Sequence, residues 1–537
     1  ETIFYILGLA VAMLLILKIL VKKQQIKSGW LGFPLILYLA AIASSSVNAV
    51  HRQLVFEFLF FWIVLASVYF TAKEFSDNDS KKILDIIFVS TFIVTVYGVL
   101  QYLGLDPVKW LYDFSGRPSS TFGNPNFFSG YLLLVFPLIF VKMISTRQPS
   151  KHIFWMVFCF LVVFNIGIAK TRGAWLAFFL SVICLTVWQM MYLKVRFITA
   201  KRIFRGTFWL FLLISAVFIV SIDNVKTLKS FFGEKNVSVS ERIFKWKTGM
   251  EMIKEHPFFG VGAGNLKVNF ANYQMKIKRN TQLKSTSESN LHNEFLQRFS
   301  ETGIFGIIAF ISVFFVFFFK CAKLLHNKMK SEESEFNLIM GIFTGAFSVF
   351  VYGLTNFPFS IVPVASTMFV LFGISESLEE KKYLTKTSQK HPSLLLFLII
   401  LTGWIFLVLE IVIPRFTSDI ARRKGDLYFS VNAMQLAAKE YEKAIKLDYY
   451  HSERTAFDLG EVYRKFDEYD KAIAAYKISV ALRNYGEVYN NMGNCYYFKG
   501  DFDNALFYWK TATGIGLPDE ETQKQVLKSI AVLENKK

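Results

Sequence analysis

Residues 303–319 read GIFGIIAFISVFFVFFF, an unbroken apolar run that ends at Lys320. Apolar and polar residues do not alternate along it, so the pattern predicts a helix rather than a strand. The hydrocarbon core of a bilayer requires roughly 20 such residues, and a helix satisfies its own backbone hydrogen bonds there. The run therefore predicts a membrane-spanning helix, which we assign to residues 292–319.

Similar runs recur over the first three-quarters of the chain. Of the 537 residues, 53% are hydrophobic and 59 are Phe, more apolar surface than a soluble core hides. The predicted spans are 2–21, 30–48, 54–72, 83–103, 122–144, 153–169, 173–193, 206–222, 292–319, 336–354, 360–377 and 393–413. Lys22 and Lys23 follow the first span without a small-residue cleavage site, which predicts a retained helix rather than a signal peptide. The sequence thus predicts an all-α, polytopic membrane protein of about 12 transmembrane helices.

The loops between these spans differ in positive charge. One set holds 22 Lys and Arg residues, in segments 22–27, 73–82, 142–151, 194–205, 320–330 and 381–390. The alternate short loops hold 5, namely Arg52, Lys109, Arg117, Lys170 and Arg172. Because positively charged loops stay in the cytoplasm, we expect the 223–291 loop, which reads as helical, and the C-terminal tail to be extracytoplasmic. The net charge of +19 then reflects topology and not nucleic-acid binding.

The tail becomes polar and repetitive from about residue 417. Gly460, Tyr463, Tyr469, Ala472 and Tyr476 recur 33 residues later as Gly493, Tyr496, Phe502, Ala505 and Trp509. An earlier partial copy ends in Ala437, Tyr441 and Ala444. This pattern resembles tetratricopeptide repeats, and the alternative is an unrelated helical bundle. We expect a C-terminal α-solenoid over 416–537 that binds a protein partner, after a transmembrane domain over 1–415.

Three polar residues lie where the predicted topology reaches the outer surface. Arg172 opens the seventh span, Arg242 lies in the outer loop and His292 opens the ninth span. Taken singly, each has an ordinary explanation as an interfacial or solvated side chain. A neutral histidine, however, accepts a proton near pH 7, and arginines bind anions.

Together these residues resemble the O-antigen ligase and polymerase family. The matching stretches are 121–126 (TFGNPN), 171–174 (TRGA), Arg242 and Trp246 with 256–265 (HPFFGVGAGN), and 292–296 (HNEFL). The resemblance spans most of residues 80–377. None is specific alone, but their order matches the family, and the charge count independently places them on one face.

The resemblance implies transfer of a glycan from an undecaprenyl-diphosphate carrier in the bacterial cytoplasmic membrane. It further implies inversion at the anomeric carbon and no metal or cofactor. The acceptor stays open among a protein hydroxyl, an envelope glycolipid and, for a polymerase, the growing chain; the outward tail favours a protein. Trp246 stands where lipopolysaccharide ligases often have Leu, which argues against a lipid A-core acceptor. A transporter of the lipid-linked glycan is the alternative from another class, but its pathway would place charges through the bilayer.

The chemistry assigns roles to these side chains. Guanidinium forks match phosphate oxygens, so we expect Arg172 and Arg242 to bind the diphosphate and stabilise it as it leaves. We expect His292 to be the catalytic base for the acceptor hydroxyl, or to position it. The expected supporting residues are Asn126, Lys170, Trp246, Asn293 and Glu301.

Other motifs have simpler explanations. Asp77-Asn78-Asp79 has the spacing of metal-dependent glycosyltransferases, but we predict a solvated cytoplasmic loop there. Gly260-Val261-Gly262-Ala263-Gly264 lacks the strand and helix of a nucleotide loop and predicts a tight turn. The four cysteines show no paired spacing and the seven histidines no metal-ligand spacing, so we expect free thiols and no metal site.

Overall fold

A computed structural model describes residues 29–106, 108, 116–196, 237–278, 290–329, 333–380, 408–517 and 519–535. All secondary structure assigned to them is helical, as the sequence predicts. The helices are α1 (Gly32–Ser44), α2 (Arg52–Lys73), α3 (Asp77–Tyr102), α4 (Pro125–Ser145), α5 (Pro149–Ile168), α6 (Arg172–Arg196), α7 (Val237–Glu255), α8 (Leu266–Lys278), α9 (Glu294–Lys328), α10 (Glu333–Tyr352), α11 (Val362–Glu380), α12 (Ile413–Ser430), α13 (Met434–Leu447), α14 (Glu453–Lys465), α15 (Tyr469–Leu482), α16 (Gly486–Phe498), α17 (Phe502–Ile515) and α18 (Glu520–Glu534).

Eight of the described helices are long and apolar enough to cross a membrane, namely α2 to α6 and α9 to α11. The shorter apolar segment Gly32–Val47 corresponds to a further predicted span, 30–48. The predicted spans 2–21 and 206–222, and most of 393–413, lie outside the described residues. The chain is therefore a multi-pass helical membrane protein, while the number of twelve spans stays a prediction.

Helix α4 lies at the centre of the membrane domain, with almost every side chain from Phe128 to Val141 buried. Helix α10 packs directly on it because Gly345 has no side chain. A Cβ at Gly345 would stand 2.3 Å from the Leu134 carbonyl oxygen. The tight fit of α4 and α10 fixes their ends, where the polar motifs lie.

Helix α9 is broken at Gly303, whose φ of 68° and ψ of −168° suit glycine alone. A Cβ there would lie 2.1 Å from the Phe258 carbonyl oxygen, so the 256–265 segment packs against the break. The Ile304 amide donates to the Pro257 carbonyl at 2.8 Å, and the Val261 amide donates to the Ser300 carbonyl at 2.9 Å. The glycine run is thus a tight turn, as predicted.

The tail is a stack of paired helices, which confirms the predicted repeats. Gly460 faces the Tyr476 ring and Gly493 the Trp509 ring, each so closely that a Cβ would approach within 2.4 Å. Gly425 faces Tyr441 in the same way and completes the earlier partial copy. The sequence pattern did not include Gly425, because Gly425 precedes Gly460 by 35 residues, whereas Gly460 precedes Gly493 by 33. The extra residues fall around the short 3₁₀ turn Tyr449–His451.

Two minor predictions have clear outcomes. Asp77 and Asp79 form the first turn of α3 rather than a loop, and Ser76 and Asp79 make a reciprocal capping box that satisfies its amide groups. Local hydrogen bonding therefore accounts for Asp79. The four cysteines are free thiols.

Candidate active site

The first two motifs meet where α4 and α6 begin. Asn124 caps α4 by accepting a hydrogen bond from the Asn126 amide at 2.8 Å. The Asn126 side-chain oxygen accepts from the Thr171 hydroxyl at 3.1 Å and from Arg117 Nη2 at 3.3 Å. Arg117 also donates through Nε to the Ala169 carbonyl at 2.8 Å. Arg117 therefore ties the two motifs together.

Arg172 begins α6 beside the end of α10. The next residue is Gly173, where a Cβ would lie 2.0 Å from the Thr355 hydroxyl oxygen, so only glycine allows this approach. In the same corner, the Tyr352 hydroxyl donates to the Asn126 carbonyl at 3.0 Å and accepts from Asn356 Nδ2 at 2.7 Å.

The third motif reaches the fourth through α7. Trp246 Nε1 donates to the Leu291 carbonyl at 3.0 Å. A Cβ on Gly249 would lie 2.5 Å from Leu291 Cδ1, so α7 lies directly on the segment that carries His292. Arg242 is partly buried on the same helix, and Lys245, one turn further on, is almost fully buried.

His292 is held in a constrained conformation. Its φ of 51° is uncommon outside glycine, although histidine tolerates it better than most residues. The next residue, Asn293, caps α9 by accepting from the Leu296 amide at 3.0 Å. The Glu294 amide donates to the Gly353 carbonyl at 2.8 Å. Buried His292 Nδ1 has no hydrogen-bond partner within the part of the chain that the structure describes.

Burial and neighbouring positive charges shift the pKa values of Arg242 and His292. Burial lowers the pKa of Arg242, and the neighbouring Arg172 charge lowers it further. Burial lowers the pKa of His292 to about 4, with further contributions from Lys245 and Arg242. His292 is therefore neutral at pH 7 and able to accept a proton.

Arg117 and Arg242 both lie within electrostatic range of the Tyr352 hydroxyl, and burial lowers the pKa of Arg117 as well. We call Arg117, Arg172, Arg242 and Lys245 the cationic cluster. None of the ion pairs among the described residues involves Arg117 or Arg242. Desolvated cations without a carboxylate partner are costly to hold and suit an anionic ligand.

The structure thus brings together Arg172, Arg242, His292, Asn126 and Trp246. The other expected supporting residues lie differently: Lys170 is exposed in the turn before α6, and Asn293 serves as a helix cap. Glu301 pairs with Arg298 at 3.1 Å and lines a separate cavity.

Sequence reasoning missed two cations. Arg117 appeared only in the count of outer charges, and Lys245 only as part of a helical segment. The spacing of Lys245 three residues after Arg242 was a usable signal, because it places both on one side of a helix. Arg117 carried no such signal in the sequence, because its role depends on contacts with residues about 50 positions away. Within the described residues, no group of three or more His, Cys, Asp or Glu side chains could hold a metal ion.

The fold and this site define a multi-pass membrane protein with a cationic cluster at one end of its helices. Residues 157–311 match the O-antigen ligase family, and residues 486–515 match a tetratricopeptide repeat. The exopolysaccharide production protein ExoQ of Rhizobium meliloti is 23% identical over 249 residues, 44% of this chain and 53% of that protein. The chain spans about half the length of this curated relative. Over the matched part of its membrane domain the chain is therefore similar to the O-antigen ligase family, and its tail carries a tetratricopeptide repeat.

Proposed function

We propose that this protein transfers a glycan from an undecaprenyl-diphosphate carrier to an acceptor hydroxyl, with inversion and without a metal ion. The site faces the extracytoplasmic side of the bacterial cytoplasmic membrane in this proposal. The charge asymmetry of the loops supports that orientation. The proposal divides the chain into a catalytic membrane domain over 1–415 and a repeat domain over 416–537 on the same side.

The observation that carries the proposal is the cationic cluster beside a neutral histidine. Phosphate oxygens match the positive charge of Arg117, Arg172 and Arg242, and the Lys245 ammonium would add a further charge. Negative charge grows on the diphosphate as its bond to the sugar breaks. Fixed cations stabilise that charge without rearranging, which lowers the barrier to transfer.

In the proposed step, the acceptor oxygen attacks the anomeric carbon from the face opposite the diphosphate. The new carbon–oxygen bond forms as the bond to the diphosphate oxygen breaks, and that oxygen keeps the electron pair. The acceptor proton passes to His292. Base assistance of this kind typically contributes about 10²–10⁴-fold in rate.

Binding of the donor would itself activate His292. Its pKa is low partly because Lys245 and Arg242 repel a second positive charge. An anionic diphosphate on the cluster neutralises that repulsion, so the pKa rises towards the ordinary value of about 6.5. His292 then becomes a stronger base when a donor is present.

The leading acceptor is a protein hydroxyl, because a tetratricopeptide-repeat tail is a usual binding surface for proteins or peptides. Transfer of the glycan to an envelope glycolipid is the alternative within the same reaction. The similarity to a protein of exopolysaccharide production favours a second candidate function, extension of a growing polysaccharide chain.

Deletion of the gene tests these outcomes together. Loss of glycan from protein supports a protein acceptor, and loss from lipid supports a glycolipid acceptor. Shortened chains with normal attachment support polymerisation. Unchanged glycans on every envelope component, with no accumulation of the lipid-linked donor, would refute glycan transfer.

A further inference from the structure

A cavity separate from the cationic cluster, which we call the second cavity, lies between the membrane domain and the tail. Its volume is about 250 Å³, below the roughly 300–1,000 Å³ of pockets that enclose drug-sized ligands. Helices α2 and α9 form two walls, and Arg415, at the junction with the tail, and His451 of the tail form another. The site is therefore incomplete without the tail.

The tail is fixed in this position by polar contacts. Arg415 and His451 Nε2 pair with Glu57 of α2 at 3.6 Å and 3.0 Å. Burial lowers the pKa of His451, but hydrogen bonds with Asp448 and Glu57 outweigh burial and raise this pKa to about 9. The contact between His451 and Glu57 is therefore an ion pair at pH 7. Lys267 of α8 pairs with Glu453 at 3.4 Å.

The charged side chains that line this cavity are paired with charges of opposite sign. Arg298, fully buried, pairs with Glu294 and Glu301, while the lining cations Lys267, Arg415 and His451 pair with the carboxylates named above. A diphosphate therefore gains little here. Hydroxyl groups, in contrast, find both donors and acceptors among Asn290, Gln297, Ser360 and these ion pairs.

The lining also includes Phe58 and Phe61, whose rings give the cavity apolar surface. A sugar ring presents hydroxyl groups around its edge and carbon-bound hydrogens on its faces, so it uses both kinds of lining. Buried Arg298 stacks on Phe58 with its guanidinium carbon 4.4 Å from the ring centre, and its Nε has no partner among the described residues.

The cavity is connected to the reacting residues by a short piece of backbone. Asn290 lines it, His292 lies two residues later, and the Leu291 amide between them donates to lining residue Gln297 at 3.3 Å. The segment that carries the proposed base is thus held against a wall of the cavity.

We propose that this cavity binds an uncharged sugar residue of the glycan substrate, with the repeat domain supplying one wall. This inference rests on the proposed glycan transfer and assigns it a sugar subsite. The sugar could belong to the lipid-linked donor or to a glycan acceptor, and the chemistry is the same.

The test fills the cavity without removing a polar group. Val362→Phe adds a ring at the lining position that begins α11. Val532→Phe makes the same change at an exposed position of α18 and is the matched control. The probes are undecaprenyl diphosphate, which has no sugar, and the lipid-linked glycan from cells that lack the gene.

We expect Val362→Phe to bind undecaprenyl diphosphate as the wild type does, which also shows that it is folded. Loss of about two hydrogen bonds predicts a Kd about tenfold or more higher for the lipid-linked glycan, if the donor sugar occupies the cavity. If a sugar of the acceptor occupies the cavity, the KM for a glycan acceptor rises instead. Phe61→Leu should show the same selectivity with a smaller change, and Val532→Phe none.

Unchanged values for both glycan ligands would overturn the sugar subsite. An increased KM for an acceptor protein that carries no sugar would overturn the carbohydrate assignment. Failure of the wild type to bind undecaprenyl diphosphate would instead refute the proposed function, so the two failures are distinguishable.

Discussion

Replacement of Arg242 should separate catalysis from stability. The partly buried Arg242 guanidinium lies near Arg172 and has no carboxylate partner among the described residues. In the absence of donor, the repulsion between these two positive charges opposes folding. As an order of magnitude, two unit charges about 6 Å apart at an effective dielectric constant of about 20 repel by ~3 kcal/mol, and partial exposure reduces such a repulsion to ~1 kcal/mol.

We therefore expect Arg242→Gln to leave the thermal stability of the purified protein unchanged or raise it by that ~1 kcal/mol. The same change removes a pair of charge-assisted hydrogen bonds to phosphate, each worth about 1.5–3 kcal/mol. Transfer should fall by about 10²–10³-fold or more. Arg242→Lys keeps the charge but loses the fork, so its loss should be smaller.

The assay combines thermal unfolding in detergent with the rate of transfer from lipid-linked glycan to acceptor. Lys247→Gln, an exposed position on the same helix, is the matched control and should change neither. The reasoning is wrong if Arg242→Gln lowers the melting temperature by several degrees, since Arg242 would then be a structural residue. It is also wrong if transfer persists at the wild-type rate.

Four further tests address other parts of the structure. His292→Ala and His292→Gln should both lower kcat about 10²–10⁴-fold with donor binding intact, and near-normal activity of the Gln variant would refute the base. For the wild type, the acid limb of kcat/KM should lie near pH 4 and that of kcat at higher pH, because the donor raises the pKa of His292; coincident limbs would contradict this. Lys170→Cys should react with an impermeant thiol reagent from outside intact cells and Lys81→Cys should not, and equal labelling would refute the topology. Gly493→Val should lower the stability of the tail by ~1–3 kcal/mol by displacing Trp509, measured as faster limited proteolysis of the tail in the full-length protein, and unchanged cleavage would contradict the packing.

Much of this architecture is readable from local sequence. The spans follow from apolar runs such as 303–319, and the helix pairs of the tail follow from recurring Gly–aromatic spacing. These signals act over one helix or one repeat, so neighbouring residues determine them. Arg172, Arg242 and His292 could be singled out for the same reason, since each lies in a recognisable helix or just before one.

The composition of the site depends on contacts that no local pattern encodes. Arg117 joins the cluster through Asn126 and Thr171, and Glu301, expected beside His292, instead pairs with Arg298 and lines the second cavity. The rotation of each helix about its axis decides such placements. That rotation follows from the packing of the whole core, as at Gly173 and Gly303.

The position of the tail was decided in the same way. Sequence alone determined that the tail is a helical repeat and predicted the side of the membrane on which it lies. Only the tertiary structure placed Arg415 and His451 on Glu57, more than 350 residues away in the chain. Ion pairs between distant segments leave no periodic trace in sequence, because each partner is an ordinary charged residue in its own helix or turn until folding brings the two together.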